Sequence, residues 1–329
     1  IGSLVKPSIY LTALMYPDQF RLNTPINNQP ITINVKGSPP WQPRNYDRKY
    51  SGSVMLMDAL VRSLNIPTVN IGMKLGLTKV ISVQQAMGWD KVTIPKVPSM
   101  LLGSYAISPY DVTKLYQTIA NEGASIPLNT INSVVDRQGN VVYSREFEPK
   151  QVVPREAAFQ TLFAMQQVVD RGTAHSLQPD YAYLHLAGKT GTTNDARDTW
   201  FVGIDGENVT TIWLGRDDNG ETKLTGASGA LQVYKEYLKR ATTRPLKLHK
   251  PEDIKWVGIN AYGSWDCSSA RTIPVWADRN QSFCQQTEYA PTIPSANAVE
   301  TNNAPKQESV WDVLNEGNSA PVEDARPAN

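Results

Sequence analysis

The sequence predicts an α+β fold in which an antiparallel sheet is flanked by helices. Three observations lead there. Apolar residues recur at helical spacing, as in Val54, Met57, Leu60, Val61 and Leu64. Two pairs of strand-like runs flank turn residues: Ile131–Val135 with Val141–Ser144 across Asp136–Asn140, and Thr199–Ile204 with Val209–Leu214 across Asp205-Gly206-Glu207-Asn208. An amphipathic segment, Ser228–Arg240, follows the second pair and is placed to pack on its sheet.

In chain order, Ser3-Leu4-Val5-Lys6-Pro7 opens a helix lined by Ile9, Leu11, Ala13, Leu14 and Met15. Proline lacks an N–H and is tolerated in a first helical turn, so Ser3 sits near the N-terminus with Lys6 on the same face. Residues 17–52 read as a long irregular connection, and loops of that length tend to be functional or to wrap a surface. A helix is expected over Ser53–Leu64, ending near Ser63-Leu64-Asn65 because Pro67 pushes Ile66 out of the helical region. Short helices follow at Thr68–Leu75 and Thr78–Met87, closed by Gly76 and Gly88. Ser108-Pro109-Tyr110-Asp111 starts another, with a capping serine, a proline and an acid in the first turn. Pro154–Val169 is a long helix ended at Gly172, and Tyr183–Ala187 reads as a strand, with Lys189-Thr190-Gly191-Thr192-Thr193 on or beside a strand of the sheet.

The chain divides, on this reading, into a main domain over 1–244, a small extension with Trp and Cys residues over 245–290, and a disordered tail over 291–329 carrying at most a short docking helix at Ser309–Leu314. Lys+Arg (32) and Asp+Glu (31) nearly cancel, which argues against nucleic acid and against a polybasic membrane contact. No run is long enough to span a membrane and none resembles a signal peptide. Ile1-Gly2-Ser3 has no initiator methionine, so the chain reads as a fragment of a longer one. The two cysteines, Cys267 and Cys284, either form a short-loop disulfide or remain thiols. The three histidines show no metal-ligand spacing, and no metal or cofactor is expected.

Three short motifs each have a plain local reading alone: a capping serine with a solvated lysine at Ser3–Lys6, capping residues at Ser63 and Asn65, and a strand end at Lys189–Gly191. They occur in one order, Ser-x-x-Lys, Ser-x-Asn and Lys-Thr-Gly, about sixty and then about twice sixty residues apart. That set is the signature of penicillin-binding proteins and class A β-lactamases. Lys189–Val202 also resembles the lysine strand of penicillin-binding transpeptidases. With Met165–Gly172 and Pro251–Cys284, the chain from Ser3 to about Gln286 resembles the bifunctional class A penicillin-binding proteins, most closely their 1B branch in Gram-negative bacteria.

The resemblance implies the α/β sandwich of the serine β-lactamase and penicillin-binding transpeptidase fold, with its N-terminal strands missing here. It therefore implies an exposed sheet edge, a frayed nucleophile helix and little activity in this piece alone. A serine hydroxyl needs a base, and only a neutral lysine can act as one; burial and a second cation, Lys189 facing Lys6, both depress a lysine's pKa. Ser3 is implied as the acylated nucleophile and Lys6 as its base. Ser63 is implied as a proton relay to the leaving amine, and Asn65 as the residue holding the substrate's peptide. Lys189, Thr190 and Thr192 are implied to recognise a terminal carboxylate on the strand that continues through Gly191 and Thr193, and the backbone N–H groups of Ser3 and Thr192 to form the oxyanion hole.

The implied substrates are peptidoglycan stem peptides ending in D-Ala-D-Ala, cross-linked at the periplasmic face of the inner membrane. β-Lactams are the implied inhibitors, lipoprotein activators and division proteins the implied partners, and any membrane contact runs through an N-terminal anchor outside this chain. A D,D-carboxypeptidase or an inactive fragment stays open as an alternative. A β-lactamase of the same fold is disfavoured, because no Glu-x-x-Leu-Asn segment lies between Asn65 and Lys189.

Overall fold

Helix α1 (Lys6–Leu14) is buried along its whole length, including Lys6, and everything else is arranged around it. A helix apolar on all sides belongs in the middle of a core, and its polar members need internal partners. Ser8 Oγ and Thr12 Oγ1 donate to the carbonyls of Val5 and Ser8, each at 2.7 Å. This computed structural model describes residues 1–277 except Lys36 and Cys267, together with Gln281 and Phe283. By its internal contacts the chain divides after Glu288, and all described residues belong to the first unit. The cysteine pairing, the tail and its docking helix lie outside the described residues.

The long connection is closed at its base by strands β1 (Pro25–Asn28) and β2 (Ser51–Met55), which pair antiparallel, and Ile33 bridges Trp41 within it. That pairing corrects the expected helix start at Ser53: helix α2 spans only Leu56–Val61. Helix α3 (Asn65–Leu75) begins earlier than expected and includes Pro67. Proline in a first turn forfeits only an N–H that has no intrahelical acceptor, so Ile66 stays helical. Helix α4 (Leu77–Gln84) runs into a wide turn, Gln85–Trp89. Helix α5 (Pro109–Ala120) has the expected cap, with Asp111 N–H donating to Ser108 Oγ at 3.1 Å.

Strand β3 (Ala124–Ser125) pairs with β6 (Lys150–Gln151), and between them β4 (Ser133–Val135) and β5 (Val141–Ser144) form the first expected hairpin. Helix α6 (Arg155–Arg171) and the short α7 (Gln178–Tyr181) follow. The expected strand Tyr183–Ala187 is instead a tight turn over Ala182–Leu184, stopped by His185 in the left-handed region (φ 50°). The strand is the lysine segment itself, β7 (Ala187–Thr192), the edge of an antiparallel meander with β8 (Thr199–Ile204) and β9 (Val209–Leu214).

Strand β8 is buried on both faces, and its side chains alternate as a strand requires. Trp200, Val202 and Ile204 join the core around α1, whereas Phe201 joins a second cluster with helix α8 (Ala230–Leu238). The sheet is thus the middle layer of a helix–sheet–helix sandwich, a mixed α+β fold. No helix among the described residues is long and apolar enough to cross a membrane.

Two last strands, β10 (Ile254–Gly258) and β11 (Thr272–Trp276), pair antiparallel in the C-terminal extension. Ile254, Val257, Ile273 and Val275 are fully buried, and all but Ile254 join the cluster that holds Leu11 and Met165. Phe159 and Phe163 of α6 meet Trp256 edge-on, with ring centroids 6.4 and 5.3 Å apart. The extension therefore completes the main core. Thermal unfolding of the main domain and extension is expected to be one transition. Ile273→Ala, a large-to-small change in a closed core, lowers it as a whole by about 2–5 kcal/mol. Calorimetry showing an early, separate transition for the extension would contradict this.

Candidate active site

Ser3 lies in a 3₁₀ turn (Gly2–Val5) that runs straight into α1. In such a turn side chains three apart eclipse, so Ser3 and Lys6 share one side. The frayed helix expected of this piece is not what the structure has. Gly2 N–H donates to the Gly103 carbonyl at 3.1 Å, and Gly2 presses against strand β7. Gly2 has φ +58°, and a Cβ there would sit 2.5 Å from the Thr192 carbonyl oxygen, so only glycine fits. Gly191 faces the same turn: a Cβ on it would meet Leu4 Cγ at 2.9 Å and the Ile1 carbonyl oxygen at 3.2 Å. The glycines bracketing the nucleophile candidate and punctuating the lysine strand thus let the two segments touch. Gly2 was not singled out from the sequence, although a glycine directly before the serine was the available signal.

Strand parity decides which peptide groups of β7 point at that turn. Thr193 N–H donates to the Asp198 carbonyl at 3.1 Å, so Thr193 and Asp198 are a hydrogen-bonded pair and Thr192 and Thr199, one step along, are not. The N–H and C=O groups of Thr192 and Thr190 therefore point off the free edge of the sheet, toward the Ser3 turn and the lysines. The Thr190 carbonyl accepts from Lys189 Nζ at 2.9 Å.

Ser63 is brought in by the end of α2. Its N–H donates to the Leu60 carbonyl and the Leu64 N–H to the Ala59 carbonyl, at 3.0 and 2.9 Å. This is the Schellman pattern, in which the residue after the cap is left-handed and is usually glycine. Here it is serine, at φ 56°. A left-handed L-residue costs about 1–2 kcal/mol, and this one turns both its carbonyl and its hydroxyl toward the lysines.

Lys6 and Lys189 are fully buried and meet at Ser63. Lys189 Nζ donates to Ser63 Oγ at 2.9 Å, and Lys6 Nζ lies 3.3 Å from the same oxygen. Lys6 also donates to the Ser63 carbonyl at 2.6 Å and to Asn65 Oδ1 at 2.7 Å. Its amine is thus directed to Ser63 and Asn65 rather than to the Ser3 hydroxyl. Burial first, and the Lys189 charge second, hold the Lys6 amine well below the usual lysine range. Burial alone brings Lys189 down to about 7. A neutral Lys6 has two N–H bonds, which its two short acceptors occupy, and its lone pair is left to accept from a hydroxyl.

The remaining candidates are engaged within the protein. Thr190 Oγ1 shares a proton with Thr173 Oγ1 at 2.7 Å, and Thr192 Oγ1 accepts from Gly226 N–H at 2.9 Å. Thr193 Oγ1 donates to Asp198 Oδ2 at 3.0 Å and accepts the Asp198 N–H at 2.9 Å. Thr193 and Asn65 line a cleft of about 950 Å³, walled by Trp41, Arg44, Tyr105 and Trp213.

Two outcomes follow from this geometry. Because the left-handed backbone at Ser63 penalises any Cβ, Ser63→Gly is expected to be more stable than Ser63→Ala by about 1 kcal/mol, the reverse of their order within a helix; chemical denaturation of both reads it. Lys189 titrates at about 7 folded against 10.5 unfolded, so between those values the unfolded chain binds more protons and stability rises with pH. Lys189→Met is therefore more stable than the natural protein near neutral pH. Its advantage shrinks as pH rises toward 9, by at most about 1.4 kcal/mol per unit. A pH-independent difference would contradict a buried lysine whose pKa is depressed.

Comparison with known proteins gives the family of the chain. The penicillin binding protein transpeptidase domain pattern matches residues 1–230, and that of the penicillin-binding protein 1B C-terminal domain matches 253–288. The chain is 71% identical over 318 residues to penicillin-binding protein 1B of Haemophilus influenzae, covering 97% of this chain and 40% of that protein. The chain thus spans about two fifths of the length of that curated relative. Its fold matches penicillin-binding protein 1A of Haemophilus influenzae with a TM-score of 0.76 at 22% identity, over 84% of this chain and 48% of the other. It also matches a ceftriaxone acyl-enzyme complex of penicillin-binding protein A from M. tuberculosis, with a TM-score of 0.60 at 19% identity, over 72% of this chain and 59% of the other. On the family pattern across its first 230 residues and the close relative across nearly all of it, the chain belongs to the transpeptidase-domain family of penicillin-binding proteins.

Proposed function

We propose that this chain forms a serine acyl-transfer centre that cross-links peptidoglycan stem peptides ending in D-Ala-D-Ala. The observation that carries the proposal is the meeting of two buried, pKa-depressed lysines at one serine hydroxyl, with Lys6 one turn from Ser3. Neutral Lys6 takes the Ser3 proton as Ser3 Oγ attacks the carbonyl of the penultimate residue. The developing oxyanion lies between the N–H groups of Ser3 and Thr192, the second of which points off the sheet edge. A lost oxyanion donor typically costs about 3–4 kcal/mol of barrier.

The tetrahedral species collapses as the bond to the terminal D-Ala nitrogen breaks. The proton held by Lys6 reaches that amine through Ser63 Oγ, which touches both lysines. Protonated Lys189 attracts the terminal carboxylate, with Thr192 Oγ1 free to donate to it while accepting from Gly226. An acceptor amine then attacks the Ser3 ester and Lys6 takes its proton; the tetrahedral species collapses as the bond to Ser3 Oγ breaks, and Lys6 returns the proton to Ser3 Oγ. The large cleft beside Asn65 suits a second peptide as acceptor, which favours cross-linking over transfer to water. β-Lactams carry the same carboxylate and a strained amide, and acylate Ser3 in place of the donor. The site then belongs at the periplasmic face of the inner membrane, where the polymer is built.

Intact-mass analysis after exposure to benzylpenicillin is expected to show one adduct, mapped to Ser3 and lost in Ser3→Ala. An adduct on another residue would overturn the assignment. The acylation rate should fall above about pH 7 as Lys189 loses its proton, because the carboxylate then has no cation to meet.

A further inference from the structure

Helix α3, which carries Asn65 at its first position, has no side-chain cap of its own; its N-cap residue is Leu64. The cap comes from the long connection, twenty residues back. Asn45 Oδ1 accepts the N–H groups of Asn65 and Ile66, at 3.0 and 3.2 Å. Its Nδ2 donates to Asn28 Oδ1 and to the Lys49 carbonyl, both at 2.8 Å. Asn45 is 2% exposed, so a buried carboxamide with two donors and two principal acceptor sites has every one of them used. Asn28, 1% exposed, is itself tied to Ser51 Oγ at 3.0 Å on β2.

The neighbouring residue completes the grip. The Arg44 carbonyl accepts from Asn65 Nδ2 at 2.7 Å. With its Nδ2 committed there, the Asn65 side chain must present Oδ1 to Lys6, which donates to it at 2.7 Å. A flipped or displaced amide would put an NH₂ group against the Lys6 amine and leave that amine without one of the two acceptors that set its lone pair.

We propose that Asn45 is a positioning residue for the acylation base: by holding the Asn65 backbone while Arg44 holds its amide, it fixes which oxygen meets Lys6 and so where the Lys6 lone pair points. This rests on the reading of Lys6 as the base. Asn45 touches neither Lys6 nor the reacting atoms. It acts through Asn65 and belongs to a loop whose irregular course otherwise has no local reason to be so tightly bonded.

The test is stopped-flow acylation of the full chain by a fluorescent penicillin, separating the rate at saturation from the apparent affinity. Asn45→Ala is expected to slow the saturated rate about 10- to 100-fold while changing the affinity less than about threefold, since the Lys189 contact to the carboxylate is left in place. A rate constant does not depend on the folded fraction, so lower stability alone cannot mimic this. Asn45→Asp keeps both acceptors for the α3 N–H groups but sets an oxygen against Asn28 Oδ1 and the Lys49 carbonyl, so it should recover the rate only in part, above Asn45→Ala. Its negative charge favours charged Lys6 and moves the acid limb of the pH profile upward. Asn70→Ala removes a similar bond between helix and connection, Asn70 Nδ2 to the Asn27 carbonyl at 2.9 Å, without touching Asn65, and should leave the rate unchanged. Equal rates in Asn45→Ala and the natural protein, or equal losses in Asn45→Ala and Asn70→Ala, would overturn the proposal. If the natural protein itself is not acylated at Ser3, the reading of Lys6 as the base fails first.

Discussion

Two ammonium groups cannot both keep their charge inside one dry core, and the site is built on that conflict. Lys6 and Lys189 come from segments far apart in the chain, on a helix buried on every side and on an edge strand, β7, that is buried over Ala187–Gly191. Burial removes the water that would solvate either ion, and their proximity adds repulsion. The resolution is a division of labour: the amine with two short acceptors and a charged neighbour gives up its proton, and the other keeps a labile one. Ser63 is the group through which each senses the other. A hydroxyl suits this because it can accept from one amine and donate to the other without any heavy atom moving.

Holding that arrangement requires backbone conformations that side chains disfavour. Ser63 stands in a left-handed position that helix ends normally give to glycine, and the Gly2 turn lies so close to β7 that no side chain fits between them. Strain of this kind persists only where the surroundings over-determine it. Here the surroundings are the Schellman bonds behind Ser63, the Gly103 carbonyl behind Gly2, and the clamp on Asn65. The first two act on peptide groups, and the clamp on Asn65 holds both its backbone N–H and its side-chain amide.

The parts of the site that were legible in the sequence are those whose chemistry is written in short spacings. Ser3 with Lys6, Ser63 with Asn65 and the lysine triplet can each be read locally, and their order supplied the resemblance. Their settings were less legible. The apolar pattern placed a strand at Tyr183–Ala187, one segment too early, because Lys, Thr and Gly hide the alternation of a strand whose residues 187–191 are in fact all buried. The start of α2 was misplaced because β2 is defined by pairing with a partner some twenty-five residues away, which no local pattern encodes. Proline in the first turn of α3 read as a helix stop because the cap that completes that turn comes from Asn45. The settings of the threonine hydroxyls were not legible either: Thr190 and Thr192 are bonded to loops, at Thr173 and Gly226, that carry no motif.

The shared core of α1 and β11 has a consequence for how the protein is made. Leu11 shares one continuous apolar core with Ile273 and Val275, residues about 260 positions further along the chain. Contacts of such long sequence separation form late and slow the search for the native state. A ribosome must therefore deliver almost the whole described chain before the core that contains the helix bearing Lys6 is complete. Until then the burial that depresses both lysine amines is incomplete. The order of synthesis thus places the electrostatic conflict between the two lysines at the end of assembly rather than at its start.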